Sequence, residues 1–216
     1  VSTRDMLRAN DTRFAEVAAT LGEDEWASPS LCTEWTNHEV LAHMVVGYSC
    51  GFGEFTAAIV RRRAFDPANT ALAQSCAFRR SPGELLDDFR RLTDRPSGLG
   101  RYFPRRLLVG DHVTHELDIL CALGREPRIP ADTIIAVLNT QVALPNPFVP
   151  AYRNSRGLKL VATDVEWAHG EHGPLVEGRA AELVSVLGNR AEMLPRLHGE
   201  GVALLAARVL SRRTVG

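Results

Sequence analysis

WTNHEVLAHM, residues 35–44, decides how the first half of the chain folds. Thr36 is a good N-cap, because its hydroxyl can accept from the unpaired backbone N–H groups of a first helical turn. Glu39 stands three residues on, where its carboxylate can reach back to complete a capping box. Trp35 and Val40 can close a hydrophobic staple across the same start. A helix therefore opens after Thr36 and carries LAHMVVGYSCGFGEFTAAIVRR to about Arg63. Gly47, Gly51 and Gly53 each weaken its middle by up to ~1 kcal/mol, and their small size would let another helix or a ligand approach. Arg61, Arg62 and Arg63 suit the negative end of the helix dipole.

Upstream, Ser2 and Asp5 have capping-box spacing. Leu7, Phe14, Val17, Ala18 and Leu21 follow as an apolar stripe that Gly22 can end. Downstream, residues 64–80 read as a long connection with at most a short helix. Ser81-Pro82-Gly83-Glu84 then places Ser at the N-cap, Pro at N1 and Glu at N3 of a third helix, with Leu85, Leu86, Phe89 and Leu92 on its apolar face. RPSGLGRYFP is a break, and a fourth helix runs from about Pro104 to Leu123, with Gly124 as its stop. Four amphipathic helices in this order predict a four-helix bundle over residues 1–126.

The pattern changes beyond that point. Pro127 and Pro130 mark a linker, and ADTIIAVLNTQVAL reads as a helix ending before Pro145, Pro147 and Pro150. GLKLVATDVEWAHGEHGPLVEG holds two or three short strand-like runs between turn residues, and helical segments follow near 179–187 and 201–210. The expected class is α+β, with a small α/β domain over residues 127–216 behind the helical one.

The chain has 216 residues, 45% of them hydrophobic and 24% charged, enough to build a core without staples. Its 25 basic side chains balance 26 acidic ones, which argues against a nucleic-acid binder. Arginines do gather between Arg79 and Arg106, where one or two could grip a carboxylate while most face solvent. No run of 18 apolar residues occurs, so no membrane span is expected. Cys32, Cys50, Cys76 and Cys121 form no CxxC pair, and the N-terminus lacks an apolar leader segment, so the expected setting is the cytoplasm. Scattered apolar surface residues leave the oligomeric state open.

The fourth helix carries polar groups where a bundle should be apolar. At 100° per residue His115 falls near the centre of a face shared with Leu108, Asp111, His112, Ile119 and Ala122. Asp111 and His115, spaced i,i+4, can converge from successive turns, and an inward carboxylate needs a partner. Either a metal ion or an arginine could serve. With His43 from the second helix, Asp111 and His115 would give a divalent metal three protein ligands and an open position, the catalytic plan. His112 is a substitute ligand for Asp111, and Asp118 could orient the His115 ring. The competing reading is a set of hydrogen-bonded core histidines and helix salt bridges, and a single D-x-x-x-H spacing does not choose between them. No HExxH, GxSxG, P-loop or dinucleotide fingerprint is present.

WTNHEVLAHM resembles the signature of the mycothiol-dependent maleylpyruvate isomerase family, a branch of the DinB-like metalloenzymes. DHVTHELDI (111–119) is similar to that family's second block. GLKLVATD, the GNRA of 188–191 and LHGEGVALLAAR resemble its smaller domain. The resemblance implies a divalent metal, with zinc the expected ion, on His43, Asp111 and His115. It implies supporting roles for Asp118 and for Arg190 of GNRA, the latter contacting substrate or thiol, and it puts aspartate where the family has glutamate. It further implies a mycothiol-like thiol as cosubstrate and a small electrophile that is isomerised cis/trans or accepts the thiol. A metal-independent isomerase or cyclase on the same fold and a non-catalytic small-molecule binder are the alternatives.

Overall fold

The computed structural model describes residues 2–145 and 150–211, so the expectation for Pro147 lies outside the described residues. The chain divides into two compact units, Val1–Glu126 and Pro127–Gly216. The first contains α1 (Thr3–Ala18), α2 (Glu23–Ala27), α3 (Asn37–Ser49), α4 (Phe52–Arg62), α5 (Phe65–Arg79), α6 (Pro82–Asp94) and α7 (Arg105–Ala122), with a 3-10 turn at Gly98–Arg101. Two of the expected capping boxes close in full, while at α1 Ser2 accepts from the Asp5 N–H alone. Thr36 Oγ1 accepts from Glu39 N–H while the Glu39 carboxylate accepts from Thr36 N–H at 2.7 Å. Ser81 and Glu84 do the same at the start of α6.

The bundle is a ring of α1, α6, α3 and α7, each helix packed against its two neighbours in that order. Its core includes Phe14, Leu41, Phe89 and Leu117, all fully buried, with Phe14 and Phe89 edge to face at 5.6 Å. Polar ties pin α1 to α7 inside it. Arg13 donates from both terminal nitrogens to the buried Glu116 carboxylate at 2.5 Å. Burial raises the Glu116 pKa even against the attraction of Arg13.

Two expectations fail between α3 and α6. The helix expected to reach Arg63 stops at Ser49, because Cys50 is extended (φ −59°, ψ 128°) and Gly51 caps a separate α4. The cause is tertiary: Ser97 and Leu99 donate backbone N–H groups to the carbonyls of Tyr48 and Cys50 at 3.1 and 2.9 Å. Close approach does occur here, but at other glycines. A Cβ on Gly100 would lie 2.7 Å from the Gly47 carbonyl oxygen, whereas Cβ atoms on Gly47, Gly51 or Gly53 would meet nothing within 4 Å. The supposed connection 64–80 is instead the 15-residue α5, which buries Ala68, Ala73 and Cys76 and packs on α3. Its buried side chains are small, so the alanine-rich segment shows helix propensity without a strong apolar stripe.

The second unit contains α8 (Ala131–Ala143), α9 (Ala151–Ser155), β1 (Lys159–Ala162), β2 (Ala168–His169), β3 (Leu175–Gly178), α10 (Ala180–Leu187) and α11 (Val202–Leu210). The sheet order is β2-β1-β3, with β1 antiparallel to β2 and parallel to β3 in the register Leu160↔Val176. Leu160 and Val176 point inward with Leu138, Leu183 and Leu187, and all are fully buried. The protein is thus an α+β chain, a helical bundle with a small mixed domain. Among the described residues no helix is long and apolar enough to cross a membrane.

Candidate metal centre

His43 stands in the second turn of α3, and Asp111 and His115 stand one turn apart on α7, the neighbouring helix of the ring. Their potential ligand atoms all lie within 4.8 Å of one another. The Asp111 carboxylate spans both imidazoles, with Oδ2 3.6 Å from His43 Nε2 and Oδ1 3.6 Å from His115 Nε2. The shorter aspartate side chain therefore still reaches both rings. The imidazoles are buried, while the Asp111 side chain is 38% exposed and gives the cluster an open side.

The far nitrogen of each ring is already committed. His115 Nδ1 lies 2.9 Å from Asp118 Oδ2, and His43 Nδ1 lies 3.1 Å from Asn69 Oδ1 on α5. The amide and carboxylate oxygens accept here, so each Nδ1 carries a proton and each Nε2 is the ring atom turned toward Asp111. Acceptors behind metal-binding histidines fix the tautomer in this same way.

Ionisation follows the geometry. Burial opposes the charged form of His115, but the nearby Asp111 charge and the Asp118 carboxylate at Nδ1 outweigh it and raise the pKa to about 9. Burial dominates at His43 and pushes it below the usual imidazole range despite Asp111. Burial also works against the Asp111 carboxylate, yet the two histidines hold it well below the ordinary range.

The donor set fits a divalent ion. A separation of 3.6 Å is too long for a direct hydrogen bond. Each gap, taken singly, is near the roughly 3.3 Å edge of a tetrahedron built on bonds of about 2.05 Å; the two gaps run to different Asp111 oxygens, and one ligand atom from each residue lies within 4.8 Å of the others. Two imidazole nitrogens, deprotonated on metal binding, and one carboxylate suit zinc, and equally iron, nickel or manganese.

His112, expected as a substitute ligand, is engaged elsewhere. One residue along from Asp111 it is rotated by about 100° on the helix. Its Nδ1 lies 2.8 Å from Asp11 Oδ1 and its ring packs edge-on against Tyr48 at 4.8 Å. The Tyr48 hydroxyl donates to the other oxygen of Asp11 at 2.5 Å. Asp118 is fully buried behind His115. Arg190 stands in the other unit, beside the 3-10 segment Ala191–Arg196, where its guanidinium donates to the Gly188 carbonyl at 2.5 Å. Asn69 carries no signal in the sequence, because the helix that presents it lacks a strong apolar stripe. Trp35, a staple residue by its sequence position, also lies against both imidazoles.

Residues 7–98 match the sequence model of the mycothiol maleylpyruvate isomerase N-terminal domain. Sequence and fold both align this chain with the mycothiol-dependent maleylpyruvate isomerase family. The sequence match takes in His43 and stops before α7. In fold, the chain is similar to a crystal structure of the mycothiol-dependent maleylpyruvate isomerase. The TM-score is 0.59 over 92% of this chain and 91% of that one, at 13% identity. A histidine-to-alanine variant of the same isomerase gives a TM-score of 0.57 over the same shares, also at 13% identity. No curated protein matches the sequence. The alignment with the isomerase family and the His43–Asp111–His115 cluster together support a catalytic role in general.

Proposed function

We propose that the helical unit holds a divalent metal ion, zinc being the expected one, on His43, Asp111 and His115. We further propose that the protein uses a low-molecular-weight thiol of mycothiol type on a small electrophile. The observation that carries this reading is the pair of 3.6 Å gaps between Asp111 and the two Nε2 atoms, with both Nδ1 atoms occupied. A divalent cation bound there supplies Lewis acidity, which lowers a thiol pKa so that the reactive thiolate is present near neutral pH.

The chain's own residues do the rest. Asp118 and Asn69 keep the two imidazoles in the tautomer that leaves Nε2 available. Asp111 provides the anionic arm on the open side, where thiol and electrophile arrive. Arg190, by its place in the GNRA motif, contacts the thiol or an acidic group of the substrate. In isomerisation the thiolate sulfur forms a bond to one alkene carbon, and the π pair moves onto the conjugated carbonyl. The former double bond rotates as a single bond. The electron pair then returns to re-form the alkene in the trans form and expels the thiolate. In transfer the adduct is instead protonated, or a leaving group departs with its electron pair.

A metal-free isomerase or cyclase has one observation in its favour, the Asp111–His115 pair with its imidazole pKa raised to about 9, which could donate a proton. An assay of metal-loaded protein with a thiol and a conjugated cis-alkene separates the two. Turnover that requires both thiol and metal and disappears in His43→Ala supports the proposal. Turnover unaffected by omitting the thiol and chelating the metal contradicts it.

A further inference from the structure

The indole of Trp35 is 7% exposed and lies tilted over both candidate ligand rings. Its ring centroid is 4.9 Å from that of His43 and 5.9 Å from that of His115, at interplanar angles of 35° and 38°. The imidazoles themselves meet edge-on at 4.6 Å. One rigid side chain from outside both helices is therefore a wall common to the histidines of α3 and α7.

The loop that delivers this ring is clipped to the centre through its backbone. Trp35 N–H donates to the Cys32 carbonyl at 2.9 Å, and its own carbonyl accepts from the Ser30 N–H at 3.0 Å and hydroxyl at 2.8 Å. Leu31 N–H donates to the carbonyl of Asp118 at 3.1 Å. Asp118 is the residue whose carboxylate holds His115 Nδ1. Thr36, next in the chain, caps α3 and bridges to Pro29. The loop is thus tied to the helix bearing each histidine. The indole Nε1–H is buried without a hydrogen-bond partner. Packing and the loop hold the ring in place, and no bond from the indole does.

We propose that Trp35 is a positioning residue for the metal ligands, its flat face fixing the ring planes of His43 and His115 so that both Nε2 atoms aim at one point. This inference rests on the metal-binding reading above. An imidazole held by its Cβ–Cγ bond and one hydrogen bond at Nδ1 keeps some freedom to tilt, and a rigid ring packed against it restricts that freedom. Metal–ligand distances tolerate errors of only about 0.2 Å, so a small swing matters. A flat apolar wall also excludes water from that side, which strengthens the attraction between the cation and its ligands.

The test is a titration of metal-stripped protein with Co²⁺, followed by visible absorption, together with Zn²⁺ affinity by chelator competition. The variants are Trp35→Phe and Trp35→Leu, with Trp26→Phe as the control and thermal unfolding of each metal-free protein as the measure of fold. Trp35→Leu keeps apolar bulk but loses the flat face. It is expected to weaken Zn²⁺ binding by about 10–100-fold, the loss typical of groups that orient a ligand, and to alter the Co²⁺ bands. Trp35→Phe should lose several-fold only, and Trp26→Phe nothing. Wild-type affinity and bands in folded Trp35→Leu would overturn the inference while leaving the metal-binding reading intact. If Trp35→Leu does not fold, Trp35→Phe decides, and affinity equal to wild type overturns the inference. Failure of the wild-type protein to bind either ion would overturn both readings.

Discussion

His115 and Asp118, one turn apart on α7, are joined by a 2.9 Å contact between Nδ1 and Oδ2, deep in the bundle where Asp118 is fully buried. A buried carboxylate is costly unless it is partnered, and this one is spent on orienting an imidazole. Asp118→Asn keeps the shape and an accepting oxygen but removes the charge. Zinc affinity is expected to fall by about 10-fold or more. Competition with a chelator measures this, with the melting temperature of the metal-free protein as the folding control.

Asn69 does the corresponding work for His43 from α5, at 3.1 Å and without a charge. Asn69→Ala should therefore weaken metal binding less than Asp118→Asn does. Asn69→Asp, which adds charge behind His43, should strengthen it or leave it unchanged. The same competition assay ranks the three variants, and an Asn69→Ala loss larger than that of Asp118→Asn would reject the assigned order.

Without metal, His115 has its pKa raised from 6.5 to about 9. A group raised in the folded state stabilises it fully below the unfolded pKa, and that contribution disappears as pH climbs through the folded value. The metal-stripped protein should accordingly lose stability between about pH 6.5 and 9, and His115→Ala should flatten that slope. Metal uptake must displace the same proton, so zinc affinity should increase with pH over this window. Urea unfolding and zinc titration at several pH values measure the two effects.

The junction of α3 with the Ser97–Gly100 segment separates two glycines. A Cβ at Gly100 would lie 2.7 Å from the Gly47 carbonyl oxygen and 2.8 Å from Tyr48 Cα, both backbone atoms with little freedom to yield. Gly100→Ala should destabilise by about 1–3 kcal/mol, the range for overpacking. Gly47→Ala, in a helix with open space around its Cβ, should stabilise by up to about 1 kcal/mol. Denaturant midpoints of the two variants should therefore move in opposite directions.

Much of the bundle was legible because its signals are local. Thr36 and Glu39, like Ser81 and Glu84, form their caps from residues three apart, and the i,i+4 spacing of Asp111 and His115 and the i,i+3 spacing of His115 and Asp118 place those groups on adjoining turns. What escaped depends on distant chain. α3 ends where Ser97 and Leu99 take its terminal carbonyls, and α5 buries only small side chains, which leaves a weak apolar period. His112 shares a broad face with His115 on a helical wheel, but Asp11, 101 positions away, draws it into the core. Asn69 became visible only once α5 existed.

The metal content of protein purified without added metal tests the central claim most directly. The account predicts about one divalent ion per chain, lost in His43→Ala and in His115→Ala while both variants remain folded. Protein that carries no ion, takes none up when zinc is supplied, and responds to those substitutions only in its stability would contradict it.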